Sequence, residues 1–204
     1  MRVLPCGDRA ALVELDTLAE VLGMTEALRA DPPTGATDIV PAARTVLVRF
    51  DPARTSPDRL AAELAGRERR PATRPGCHTV EIPVRYDGDD LADVARLTGL
   101  TPREVAERHQ AARYVVAFAG FAPGFAYISG GDPALRVSRR DSPRTAVPAG
   151  AVAIADEYSA VYPRESPGGW RIIGRTDLPV WTPDRERPML LPPGTGVRFV
   201  EVRS

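Results

Sequence analysis

Hydrophobic and polar residues alternate from Arg9 to Leu15, which puts Ala11, Val13 and Leu15 on one side of a strand. Asp16 stands where a helix cap belongs, ahead of Leu18, Val21, Leu22 and Leu28, which share roughly one helical face. The loop Asp31-Pro32-Pro33-Thr34-Gly35 ends that helix. Alternation returns from Thr45 to Phe50 through Val46, Val48 and Phe50. Ser56-Pro57 then reads as N-cap and first turn of a helix carrying Leu60 and Leu64. Strand, helix, strand and helix in succession predict a small α+β domain over residues 1–76.

Residues 67–76 are polar, basic and proline-bearing, and read as a solvated linker rather than a nucleic-acid patch. A second domain is expected over 77–204. It opens with a strand from His78 to Arg85, in which Val80, Ile82 and Val84 alternate. Two short helices follow. Asp90 is placed to cap the first, which Gly99 closes, and Thr101-Pro102-Arg103-Glu104 is a capping box with proline at N1 for the second. After Tyr114 the pattern changes to short apolar runs (Val115–Phe118, Val152–Ile154, Ile172–Ile173, Met189–Leu191, Val197–Val202) separated by Gly and Pro. Such repeated short strands predict a β-barrel or sandwich.

Composition narrows the function. In 204 residues, 43% are hydrophobic and 26% charged, which excludes wholesale disorder. The net charge is zero, so the basic excess of an electrostatic nucleic-acid binder is missing. Every Lys/Arg position is Arg, so no lysine serves as Schiff-base amine, P-loop lysine or biotin acceptor. The 21 prolines and 17 glycines disfavour a long-helix bundle. Two cysteines, Cys6 and Cys77, make neither a disulfide framework nor a zinc site, and Asp, Glu and His show no metal-ligand spacing. Without an apolar run of membrane length or a charged-then-apolar N-terminus, a cytoplasmic protein free of the membrane is expected.

Three stretches can carry chemistry. Phe118 to Tyr127 interleaves aromatics with Gly120, Pro123 and Gly124, suiting a rigid loop that a ligand can approach; it reads equally as an aromatic cap on a barrel. Arg139 to Gly150 and Tyr162 to Thr176 bring arginines and a Gly168-Gly169 pair. Guanidinium forks and exposed amides recognise carboxylate or phosphate, although surface ion pairs and turns explain the same residues. His109 falls four residues after Val105, on a buried helical face, where a structural histidine is the simpler reading. Ser166 lies in Ser-Pro-Gly-Gly, which is not a nucleophile elbow.

These residues also carry a resemblance that covers nearly the whole chain. Gly7-Asp8 with Ala11 to Glu14, Pro41 to Pro52, Gly120 to Phe125, Pro143 to Gly150, Tyr162 to Trp170, Ile173 to Thr176 and Pro193-Gly194 with Val197 to Phe199 resemble the KipI/PxpB family. That family comprises the B subunit of 5-oxoprolinase, also known as allophanate hydrolase subunit 1. Ala126 replaces a common proline of the family, and Asp156 a common glycine.

The resemblance implies an α+β fold class, with a small N-terminal α+β domain followed by a cyclophilin-like β-barrel. It implies one subunit of an ATP-dependent opening of 5-oxoproline to L-glutamate, working with a KipA/PxpC-like subunit and a PxpA-like protein. ATP would enter as co-substrate with Mg2+, with no tightly bound cofactor and no metal site. Gly120, Phe121, Pro123, Gly124, Phe125, Arg144, Pro148, Gly150, Tyr162, Ser166, Pro167, Gly168, Gly169, Trp170 and Arg175 are the expected substrate- or nucleotide-binding positions. His109, Arg144 and Arg175 are the candidates for chemistry. The alternatives are an allophanate- or urea-processing subunit, or a non-catalytic inhibitor of a histidine kinase; prolyl isomerisation rests on fold analogy alone. With no self-sufficient nucleophile and base, a half-site completed by another subunit, inactive alone, is the expectation.

Overall fold

Pairs of strands alternate with single helices in the N-terminal unit of the computed structural model, which describes residues 1–67 and 78–202. The chain divides into two units, Met1–Arg74 and Pro75–Ser204. The predicted linker and Cys77 lie almost wholly outside the described residues.

The first unit contains β1 (Arg2–Pro5), β2 (Ala10–Glu14), α1 (Leu18–Ala30), β3 (Ala36–Pro41), β4 (Thr45–Phe50) and α2 (Pro57–Ala65). Its strands form an antiparallel sheet in the order β1-β2-β4-β3. Alternation puts Ala11, Val13, Val46, Val48 and Phe50 on one face, where Val21, Met24 and Leu28 of α1 and Leu60 and Leu64 of α2 cover them. Burying each large aliphatic side chain there contributes about 1.5–3 kcal/mol. Ser56 and Pro57 begin α2 as expected. The cap of α1 is Thr17 rather than Asp16, because Thr17 forms a reciprocal box with Glu20.

The second unit contains β5 (Thr79–Val84), α3 (Leu91–Thr98), α4 (Pro102–Ala111), β6 (Tyr114–Ala119), β7 (Ala126–Ser129), β8 (Arg144–Val147), β9 (Ala151–Ala155), β10 (Tyr158–Val161), β11 (Ser166–Gly168), β12 (Arg171–Arg175) and β13 (Gly196–Glu201). Seven strands form one sheet, ordered β12-β9-β10-β7-β6-β13-β5. The outermost strands meet where Arg85 and Arg175 exchange two backbone hydrogen bonds of 2.9 Å, which nearly closes a barrel. A Cβ at Gly174 would overlap the Arg85 carbonyl there, so this seam requires glycine. Ile82, Val84, Val116, Ile128, Ile154, Ile173, Val197 and Phe199 fill the interior, and α3 and α4 add Val94 and Val105. β8 and β11 pair separately. This is the expected α+β class with a barrel-like second unit.

One local expectation changes. Met189–Leu191 forms no strand; prolines at 188, 192 and 193 leave it a single bridge, Trp181 to Met189. Asp156, where the family commonly has glycine, adopts φ +52 in the β9–β10 turn. A short polar side chain tolerates that left-handed position, so the turn survives the replacement.

Candidate functional site

One carboxylate gathers the polar segments of the second unit. Asp90 occupies the N-cap position of α3, but its side chain makes no capping hydrogen bond. With only 3% of that side chain exposed, it accepts two hydrogen bonds from Arg144 at 2.7 and 3.0 Å. It also accepts from Arg140 and, at 2.8 Å, from the backbone N–H of Ile172. Burial alone would raise the Asp90 pKa. The hydrogen bonds from Arg144 and Ile172, with the charges of Arg144 and Arg140, outweigh burial and hold it below the usual carboxylate range. A single anion thus ties the loop at 139–143, β8 and β12 to the segment after β5.

Glycines let these segments approach. Gly150 has φ +79, and a Cβ there would overlap the Thr176 carbonyl oxygen. The Thr176 N–H donates to the Gly150 carbonyl at 2.9 Å, which joins the Pro148-Ala-Gly150 and Gly174-Arg-Thr176 motifs.

Between them opens a cleft of about 460 Å³ lined by Asp87, Gly88, Asp89, Pro148, Ala149, Ala151, Ile172, Gly174, Arg175, Thr176 and Asp177. Arg175 pairs with Asp87 at 2.6 Å, the two side chains being 61% and 44% exposed. A pair so exposed contributes about 0–1 kcal/mol and exchanges readily for another anion. Arg144 differs, because its guanidinium is already committed to a buried partner.

Beside the Arg144 strand lies an aromatic cluster. Phe125 meets Tyr162 and Trp170 edge-to-face at 5.3 and 5.5 Å. Burial pushes the Tyr162 hydroxyl up, against the backbone hydrogen bond from Trp170 and the charge of Arg139. Gly168 leaves room for that hydroxyl, and Gly124 packs on Trp181. Arg140 N–H reaches the Gly169 carbonyl at 2.7 Å, which seats the Gly-Gly segment. Arg139 lies over the Trp170 ring at 6.0 Å. Gly120, Phe121 and Pro123 form the β6–β7 loop, and Pro167 is exposed in β11.

Two candidates stand apart. Ser166 is nearly buried, and its hydroxyl donates to the Arg164 carbonyl at 3.1 Å. His109 is fully buried; Nδ1 shares a 2.8 Å hydrogen bond with the Tyr86 hydroxyl and Nε2 a 3.1 Å one with the Ser159 hydroxyl. Phe199 packs on its ring at 4.3 Å, and burial lowers its pKa to about 3. It holds a core position with no exposed surface. Sequence reasoning misses the aspartates. The run Asp87-Gly-Asp-Asp90 directly after a strand is a signal, but from the sequence Asp90 reads only as a helix cap.

Comparison with known proteins adds an independent line. Residues 1–191 match the family described as carboxyltransferase domain, subdomain C and D. The B subunit of 5-oxoprolinase from Escherichia coli O157:H7 is 46% identical over 136 residues, 65% of this chain and 62% of that protein. Its counterpart from Bacillus subtilis is 44% identical over 126 residues, 60% of this chain and 52% of that protein. The matched segments thus span between half and two-thirds of these relatives. The crystal structure of TTHA0988 superposes with TM-score 0.79 at 39% identity, over 97% of this chain and 40% of that one. The urea amidolyase of K. lactis, 21% identical with TM-score 0.75 over 98% of this chain and 15% of that one, shares the fold.

Proposed function

The chain belongs to the family of carboxyltransferase domains, subdomains C and D, and from that premise we propose that it is the PxpB-type subunit of an ATP-dependent 5-oxoprolinase. Its relatives named for the B subunit of that enzyme carry this reading. The complex converts 5-oxoproline, ATP and water to L-glutamate, ADP and phosphate in the cytoplasm, with a KipA/PxpC-like subunit and a PxpA-like protein.

The charge of the cleft divides the work. One exposed guanidinium, Arg175, pairs with Asp87, whereas Asp177 is held by Arg85 at 2.6 Å and Asp89 lies 3.7 Å from Arg144. A single guanidinium freed from an exposed partner matches one carboxylate and falls short of the several anionic oxygens of a triphosphate. Arg175 therefore takes the carboxylate of 5-oxoproline by exchanging it for Asp87, and the nucleotide is held mainly by the partner subunits. Arg144 and Asp90 position β8 and β12 around the cleft without touching substrate.

Reconstitution tests this. In the assembled complex, Arg175→Ala loses about 1.5–3 kcal/mol of charged hydrogen bonding, roughly ten- to a hundredfold in kcat/KM for 5-oxoproline. The loss falls on KM, with melting temperature and assembly unchanged. ATP-dependent glutamate release that the variant leaves intact overturns the assignment of Arg175. A complex that releases no glutamate overturns the function.

A further inference from the structure

Phe121 is the most exposed large hydrophobic residue among those described, at 59%, and it holds φ +66. The Ala122 N–H donates to the Gly120 carbonyl at 2.7 Å, closing a three-residue turn with Phe121 at its centre. Positive φ makes this the rare, strained hand of that turn, and for a bulky side chain it is an outlier. Flanking hydrogen bonds, Gly120 N–H to Phe125 O at 3.2 Å and Phe125 N–H to Ala122 O at 3.0 Å, enforce it. Burial does not offset the strain. The ring meets Phe125 and Tyr162 at 5.1 and 6.4 Å and leaves most of its surface in water. Enforced strain of this kind collects at functional positions.

We propose that Phe121 anchors a protein-docking surface whose partner supplies an apolar pocket for the ring and a carboxylate near its rim for Arg139. The ring does not line the Arg175 cleft, and a small ligand would need a concavity burying most of its own surface. An exposed rigid aromatic matches the anchors that dominate protein interfaces. Arg139, over Trp170 in the same aromatic cluster, has no ion-pair partner among the described residues, so it complements an acidic rim. The inference rests on the reading of the chain as a subunit, and its partner is then the KipA/PxpC-like subunit rather than a second copy.

The test measures affinity of the full chain for that subunit by calorimetry, with melting temperatures of the same variants. Phe121→Ala and Phe121→Gly should each weaken the complex at least about tenfold, and Phe121→Leu should keep most of the affinity. Phe121→Gly should melt no lower than Phe121→Ala, reversing the usual order because glycine relieves the strained turn. Arg139→Glu should weaken binding and flatten its salt dependence. Unchanged affinity in both Phe121 variants overturns the docking surface while leaving the subunit reading intact. A wild-type chain that does not bind the subunit overturns both. A chain that dimerises through Phe121 overturns the choice of partner.

Discussion

Arg144 and Arg175 look alike in the sequence, each set in a Gly/Pro-rich motif, yet burial gives them different work. Arg144 holds a carboxylate that is 3% exposed, whereas Arg175 holds one that is 44% exposed. Removing Arg144 strands part of a buried charge, with Arg140 left as its remaining ion-pair partner. Arg144→Ala should therefore destabilise the protein by about 2–3 kcal/mol, read as a fall in denaturation midpoint. An unchanged midpoint would show that Asp90 is adequately held without it. His109 adds a pH dependence. Its pKa is 6.5 when unfolded and about 3 when folded, so between these values the unfolded chain binds the extra proton. Stability is thus lost as pH falls below about 6.5, by roughly 1.4 kcal/mol per pH unit once His109 is protonated in the unfolded chain. Melting curves between pH 6.5 and 5 should fall more shallowly for His109→Gln than for the parent. Parallel curves would mean that His109 does not govern that acid sensitivity.

Elements with strong local signals are legible in the sequence, and those defined by tertiary pairing are not. The Thr101 cap is the clearest success. Glu104 N–H donates to the Thr101 hydroxyl at 3.2 Å, and the Glu104 carboxylate accepts from the Thr101 N–H at 2.8 Å. Thr101→Ala should cost roughly 1 kcal/mol, and equal midpoints for mutant and parent would contradict the cap. β1 and β3 escape because edge strands need only one partner and bury little; their residues are mostly exposed or half-buried. Met189–Leu191 misleads because prolines on both sides remove donors and limit its pairing to one bridge, while Leu191 is buried. Asp90 shows the same limit inside a correct element: its position as a helix cap is legible, but its partners lie 50 to 82 residues away in sequence.

For the whole molecule, periodicity reaches the α+β class and a β-barrel or sandwich, and motif resemblance reaches the family, while the site waits for three dimensions. The motifs at 143–150 and 173–176 look like separate anion-binding loops. They form one cleft because Gly150 lies against Thr176, and because Asp90 draws Arg144 and β12 together. The assembled cleft offers an exposed guanidinium and carboxylates, with no histidine lining it among the described residues, and His109, a candidate for chemistry by sequence, is buried in the core. On the proposed function, Arg175 holds the substrate carboxylate while other subunits complete the reaction. The most direct measurement is ATP-dependent glutamate release from 5-oxoproline at fixed chain concentration, titrated with the KipA/PxpC-like subunit in the presence of the PxpA-like protein. Release should start at background without the KipA/PxpC-like subunit and rise to a plateau at a fixed stoichiometric ratio. Full turnover at the zero point of the titration, by this chain without that subunit, would contradict the account.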